Sequence, residues 1–216
     1  MATREVSRLY RHLLVRLGPQ GWWPGDTAFE IALGAILTQN TAWRNVEQAL
    51  HRLRQRGWLQ ASALAHAPRH ELEALLRPTG YFRQKAERVQ RFAQWWLNQG
   101  GEAGLRLRPL DELRRELLAL KGIGPETADS ILLYAFHRPI LVVDAYTRRI
   151  LERHGLPIPR DYEGLRRFLE QRLPRDVAVY QEFHALMVAV GKLFCRAQPR
   201  CTGCPVQEVW GPPQGI

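Results

Sequence analysis

Apolar side chains recur every three or four residues along almost the whole chain, and glycine and proline interrupt them at short intervals. Over residues 5–17, Val6, Leu9, Leu13 and Leu17 fall on one helical face, and Gly18-Pro19 stops the run. Asp26 or Thr27 is placed to cap a second helix through Phe29, Ile31, Leu33, Ile36 and Leu37. The same period predicts helices near 43–55, 69–76, 83–99, 110–120, 125–136, 146–154, 161–172 and 177–194. No segment sustains the alternation of a strand. Leu141-Val142-Val143 is strand-like but too short to found a sheet. The fold class is therefore all-α. There is no internal repeat, low-complexity tract or long linker, and 216 residues leave room for one ordinary domain or two small lobes.

Charge narrows the partners. Thirty-one Lys and Arg against 21 Asp and Glu give a net charge of +10 and a pI near 10.2. A basic surface of this size suits a polyanion, most simply nucleic acid. Only Lys85, Lys121 and Lys192 are lysines, so a general preference for arginine is the lesser, competing account of the same excess. With 45% hydrophobic and 24% charged residues, the composition is globular and argues against disorder. No apolar run approaches the ~20 residues of a membrane helix. The start, Met1-Ala2-Thr3-Arg4-Glu5-Val6, lacks an apolar signal core. The expectation is a cytoplasmic protein, nucleoid-associated in a bacterium, with no membrane partner. Three cysteines, all within the last 22 residues, cannot build a disulfide framework.

The segment Leu120-Lys121-Gly122-Ile123-Gly124-Pro125-Glu126-Thr127-Ala128 lies between two helices. Two glycines allow a tight turn and close backbone approach. Pro125 suits the first position of the following helix. Ile123 can plug the joint. Unpaired amides of the turn and of the second helix then face outward as a phosphate site. This is a helix-hairpin-helix pattern, which holds DNA backbone without reading sequence. Gly122, Ile123, Gly124 and Thr127 are its candidate DNA-binding residues. Gly-x-Gly alone would describe an ordinary packing corner; the longer string carries the DNA reading.

Asp144 stands eighteen residues after Glu126, in Val142-Val143-Asp144-Ala145-Tyr146-Thr147. It follows an apolar pair and opens a helix, so it can serve as an N-cap worth ~1 kcal/mol. Asp111 and Asp161 are expected to do only that. The hairpin followed by Val-Asp at this spacing resembles the endonuclease III family of DNA glycosylases, the helix-hairpin-helix/GPD superfamily. The resemblance covers nearly the whole chain, including Leu37-Thr38-Gln39-Asn40-Thr41 and Gly80-Tyr81-Phe82-Arg83-Gln84-Lys85-Ala86. It implies that Asp144 is the catalytic residue. Cleavage of an N-glycosidic bond builds positive charge on the sugar, which a fixed carboxylate stabilises while it orients or deprotonates a water.

The chain departs from the bifunctional members at Glu126. They carry there the lysine that attacks the sugar, forms a Schiff base and permits strand cleavage. Glu126 cannot. Lys121 lies on the other arm of the turn, and substitution by Lys121 or Lys192 stays open. The resemblance further makes Gln39 a gap-filler and Tyr81 a wedge into the opposite strand once a base has been flipped out. Trp22, Trp23 and Trp43, with Glu126, are candidates for the base pocket. An indole face attracts a cationic methylated purine such as 3-methyladenine. Trp22-Trp23-Pro24, Gln39-Asn40-Thr41-x-Trp43 and Glu126 together resemble the 3-methyladenine glycosylase branch. Core packing is the competing role for these tryptophans.

Cys195, Cys201 and Cys204 are similar to the carboxy-terminal iron–sulfur loop of endonuclease III, whose four cysteines are spaced six, two and five. Here the first interval is one shorter and Trp210 stands in the fourth place. Three readings remain: a cluster held by three thiolates and an outside ligand, a metal-free loop held by packing, or zinc with His184 as fourth ligand. In each the role is structural, and no cofactor is required for catalysis.

The resemblance implies two helical lobes with a DNA-binding cleft between them: 27–137 ending in the hairpin, and 1–26 with 138–216. The expected activity is hydrolytic release of a damaged base, an alkylated purine, from double-stranded DNA by a monofunctional, monomeric glycosylase. The alternatives are a bifunctional glycosylase/AP lyase on oxidised pyrimidines, a mismatch-specific glycosylase, and a catalytically silent protein that recognises damage.

Overall fold

The computed structural model describes residues 2–214, with side chains from Glu5 onward. Met1, Gly215 and Ile216, which the sequence puts in the second lobe, lie outside the described residues. Among the described residues there are helices and turns and no strand, so the all-α expectation holds. The chain forms two compact units, Met1–Trp22 with Arg138–Ile216, and Trp23–His137.

The Trp23–His137 unit contains α2 (Ala28–Leu37), α3 (Trp43–Gln55), α4 (Ala61–His66), α5 (Arg69–Leu76), α6 (Phe82–Asn98), α7 (Gly101–Arg106), α8 (Leu110–Ala119) and α9 (Pro125–Ser130). Helix α2 is apolar on nearly every side, the pattern of a central helix, and nine of its residues are buried. Thr27 caps it by accepting from the Glu30 amide. An aromatic cluster fills the core: Phe29 stacks on Phe92 at 5.9 Å and meets Trp96 edge-on at 5.2 Å, and Trp96 stacks on Phe136 at 5.5 Å. Helix α9 continues into a wider π-type turn, Ile131–Ala135, which is wholly buried. Arg114 on α8 donates twice to Asp129 on α9, at 2.6 and 3.2 Å, and Asp129 is fully buried. This two-pronged pair fixes the angle between the hairpin's helices, and removing one partner would strand a buried charge.

The other unit contains α1 (Ala2–Leu17), α10 (Ala145–Arg153), α11 (Tyr162–Glu170), α12 (Val177–Leu193) and α13 (Pro205–Trp210). Val6, Leu9 and Leu13 give α1 a fully buried stripe, and α1 packs on α12 and α13. His12 and Arg16 both reach Glu208 on α13. Gly191 lets α10 close on α12, since a Cβ there would sit 2.3 Å from the Tyr146 ring. Asp144, Asp161 and Asp176 cap α10, α11 and α12 through their side chains. Asp111 does not cap: α8 is entered at Pro109, and Asp111 sits in the first turn. Its charge there favours the helix dipole instead. Helices α4, α7 and α13 were not predicted by periodicity. Each has six residues, too few to display a repeat.

Candidate functional site

The hairpin turns as its glycines require. Gly122 has φ +92°, a conformation that L side chains rarely adopt, and a Cβ there would fall 2.2 Å from Arg88 Nε. The Ile123 amide closes the turn on Leu120 O at 3.0 Å, and its side chain is buried as the joint's plug. Gly124 is the extended residue at the start of α9, and Pro125 is the first helical residue. Arg88 lies against the turn, Arg91 donates to Lys121 O, and Lys121 is exposed. Burial and the neighbouring Arg91 lower the Arg88 pKa. The turn therefore combines helix-start amides with a cationic rim, the chemistry a phosphate needs.

Gln39 is docked on this turn. Its amide nitrogen donates to Gly122 O at 3.1 Å and to Thr127 Oγ1 at 2.8 Å. Thr127 is buried, so its hydroxyl joins the two segments rather than facing a ligand. Asn40 beside Gln39 has φ +53°. Tyr81 has φ +44° and directly follows Gly80 at φ +65°. Its side chain is 67% exposed, so its ring projects from the start of α6. Non-glycine residues in the left-handed region cost on the order of 1–2 kcal/mol and persist where the surroundings over-determine them. Lys85 supplies that constraint: its ammonium, 2% exposed, donates to Leu37 O at 2.9 Å and Thr79 O at 2.7 Å. Sequence reading quoted Lys85 within a motif but assigned it nothing.

Asp144 lies in the other unit. Leu141, Val142 and Val143, outside any helix, lead buried into it. Its Oδ1 accepts from the Thr147 amide at 2.7 Å, so the cap role is real. Its Oδ2 lies 3.8 Å from His184 Nε2, and the residue is 8% exposed. His184 is pushed below the ordinary imidazole range by burial, with Asp144 pulling the other way and Lys192 lowering it further. The pair is thus a carboxylate beside a neutral imidazole. Trp22 meets His184 edge-on at 5.9 Å, and Lys192 Nζ stands 5.5 Å over the Trp22 ring.

The two adjacent tryptophans part company. The chain passes from one unit to the other between them. Trp22 belongs with His184, whereas Trp23 packs on Trp43 at 5.3 Å and on Tyr134 at 5.1 Å. Gly34 makes room for both Trp23 and Trp43 on α2. Trp43 also donates to Glu47 at 2.8 Å, and Glu126 is exposed on the first turn of α9.

Cys195 and Cys204 are buried and Cys201 is half-buried. All three line one cavity of about 10 Å³, room for one water at most, together with Arg153 and His154. His184 is not among the lining residues; its partner is Asp144, which corrects the reading of His184 as a zinc ligand. Arg153 donates to Cys195 Sγ at 3.3 Å and to Arg196 O and Ala197 O, and Arg149 donates to Cys195 O. Trp210, in the fourth cysteine's place, packs on His154 at 5.8 Å, and an indole N–H has no lone pair to offer a metal. Among the described residues, no group of three or more His, Cys, Asp or Glu is disposed to hold a metal ion. The donor set does not fit a four-thiolate cluster.

Comparison with known proteins gives the class. Residues 33–175 match the pattern of the HhH-GPD superfamily base excision DNA repair proteins, and the chain belongs to that superfamily. Its class of activity is that of a DNA glycosylase. A candidate DNA repair glycosylase of Methanocaldococcus jannaschii is 40% identical over 207 residues, 94% of each chain. Endonuclease III of Thermotoga maritima is 32% identical, over 82% of this chain and 79% of its own. Among solved structures, the Helicobacter pylori 3-methyladenine DNA glycosylase bound to 1,N6-ethenoadenine is similar with a TM-score of 0.78 and 29% identity, covering 87% of this chain and 97% of its own. No described helix is long and apolar enough to cross a membrane.

Proposed function

We propose that this chain releases an alkylated purine from double-stranded DNA by hydrolysis and leaves the strand uncut. The observation that carries the reading is the pair of carboxylates at its two motif positions: Asp144 behind the buried Val142-Val143 segment, and Glu126 where a Schiff-base lysine would be needed. The solved relative that binds an ethenoadenine supports a modified purine as the substrate class.

A 3-alkylated purine in DNA carries a positive charge and departs as a neutral base, so the leaving group requires no acid. The C1′–N bond breaks as positive charge builds on the sugar. Asp144 Oδ2 faces that charge, while Oδ1 stays on the Thr147 amide and fixes the carboxylate. Water then adds to C1′ and loses a proton towards Asp144. His184, held neutral beside Oδ2, adds no positive charge of its own to cancel the carboxylate's. Trp22, packed on His184 with Lys192 Nζ 5.5 Å over its ring, offers the cationic base the part of its indole surface that the ammonium leaves uncovered. Gly122, Ile123, Gly124 and Thr127 form the turn that grips the backbone. Gln39 and Tyr81 occupy the space left by the flipped base, and Trp23, Trp43 and Glu126 are the candidates by which the Trp23–His137 unit meets the DNA.

The test is base release from duplexes carrying 3-methyladenine and other lesions, scored apart from strand cleavage. Asp144→Asn keeps the cap yet lowers release by at least ~100-fold, the scale of losing one fixed electrostatic partner. Borohydride traps no covalent complex. Release by the variant within tenfold of the parent would remove Asp144 from the mechanism. A trapped complex would establish a bifunctional enzyme, with Lys192 over Trp22 as the first lysine to replace.

A further inference from the structure

We infer that Lys85 is a positioning residue that locks the Gln39 segment and the Tyr81 segment at a fixed spacing, so that both segments meet the duplex together. This rests on the glycosylase reading above. Lys85 sits on α6, one turn after Tyr81, and its own amide donates to Tyr81 O at 3.0 Å. Its ammonium bonds two carbonyls that lie far apart in sequence. One is Leu37 O, on the last residue of α2, and the other is Thr79 O, next to Gly80.

Burying an ammonium is expensive unless it is paired, and among the described residues no carboxylate pairs with this one. Burial, and after it the like charge of neighbouring Arg88, depress the Lys85 pKa to about 8. A methionine would fill the same space without that penalty. What the lysine adds is geometry: two donors on one atom, aimed at the ends of two loops. The Leu37 carbonyl lies at the negative end of the α2 dipole, which favours a cation there. Each loop carries a strained non-glycine residue, Asn40 in one and Tyr81 in the other. Gln39 then extends the link to the hairpin through Gly122 O and Thr127 Oγ1. Three segments that would each meet DNA are thereby joined by side-chain hydrogen bonds within the Trp23–His137 unit.

Filling the gap beside a flipped base offsets the cost of unstacking only if the segments that fill it arrive in register. Lys85→Met therefore discriminates between substrates. Single-turnover release from a lesion paired in duplex falls by roughly tenfold or more, while release from the same lesion in single-stranded DNA stays within about twofold, because no unpairing remains to be offset. A merely structural lysine would lower both alike, and equal losses, or no loss on the duplex, overturn the inference. If Lys85→Met does not fold, Lys85→Gln enters the same comparison. The parent protein is measured alongside. If the parent releases no base from any lesion, the glycosylase reading falls. Fluorescence of 2-aminopurine beside a tetrahydrofuran abasic analogue still decides the matter for Lys85, since it reports unstacking without chemistry. A weaker signal in the variant supports the link, and an unchanged one overturns it.

Discussion

The hairpin and the cysteine loop are built on the same backbone plan and end up with different surfaces. One reads Gly122-Ile123-Gly124-Pro125, the other Gly203-Cys204-Pro205. Each has a left-handed glycine, at φ +92° and +74°, then a buried plug, then a proline that opens a helix. They differ in their long-range partners. Gln39 takes the Gly122 carbonyl from a distant loop, and Lys121 stays exposed on the rim. In the cysteine loop, Arg149 and Arg153 turn onto the carbonyls of Cys195, Arg196 and Ala197. Those guanidinium donors are committed to holding the loop closed. A local pattern therefore specifies a turn, while the groups that reach it from elsewhere decide whether it has donors and charge left for a ligand.

The sharpest way to break that contrast is a matched pair of alanines. Gly122→Ala forces a Cβ onto Arg88 and a side chain into the left-handed region. Affinity for duplex DNA should fall about tenfold, in keeping with a strain of ~1–2 kcal/mol at the contact itself. Gly203→Ala meets open space at φ +74°, so it carries the backbone strain alone. It should lower the melting temperature and leave DNA affinity unchanged. Binding isotherms at one fixed salt concentration measure both. Equal weakening by the two variants would erase the functional difference between the turns.

The same contrast explains what the sequence made legible. Helix periodicity, the hairpin and the cap at Asp144 are local, written within a few consecutive residues. Lys85 escaped because its carbonyl partners, Leu37 and Thr79, are 48 and 6 residues away and backbone acceptors leave no residue-type signal. His184 was legible only as a candidate zinc ligand because α12 is apolar on most faces, so one imidazole there gives no hint that it meets Asp144. The parting of Trp22 from Trp23 is a matter of tertiary packing, which adjacency in sequence conceals. The cysteine spacing was readable and misleading as to His184, because spacing alone does not say which helix faces the thiols.

Acid distinguishes the two regions by a smaller amount. Burial holds both His184 and His154 below the ordinary imidazole range, and His154 lines the cysteine cavity. In the unfolded chain each takes a proton near pH 6.5, whereas the folded chain resists until lower pH. The unfolded state therefore binds more protons as pH falls below ~6.5, and stability drops there, by at most ~1.4 kcal/mol per histidine per pH unit. Above that range the two groups contribute no slope. In the hairpin's unit, His51, His66, His70 and His137 are all exposed. Hydrogen exchange between pH 7 and 5 should thus show α10 and α12 losing protection before α8 and α9. His184→Asn should flatten part of that loss. Parallel loss in both units, or no change with the substitution, would assign acid sensitivity elsewhere.

The smallest expected effect falls on Cys201, the half-buried member of the three thiols. If the loop were organised around a metal, Cys201→Ser would remove one of at most three thiolate ligands and with it the metal's contribution to folding. The observed contacts describe a loop organised by arginine: Arg153 binds Cys195 Sγ and two carbonyls, Arg149 binds a third, and Trp210 closes on His154. None of these bonds involves Cys201. Its serine variant should therefore shift stability by no more than ~0.5 kcal/mol, as a partly exposed substitution does, and leave base release and DNA affinity unaltered. The parent protein should be colourless, with iron and zinc well below one per chain by elemental analysis. Stoichiometric metal lost on Cys201→Ser, with a fall in melting temperature of several degrees, would show that three thiolates suffice. The cysteine loop would then owe its closure to a ligand, as the hairpin does not.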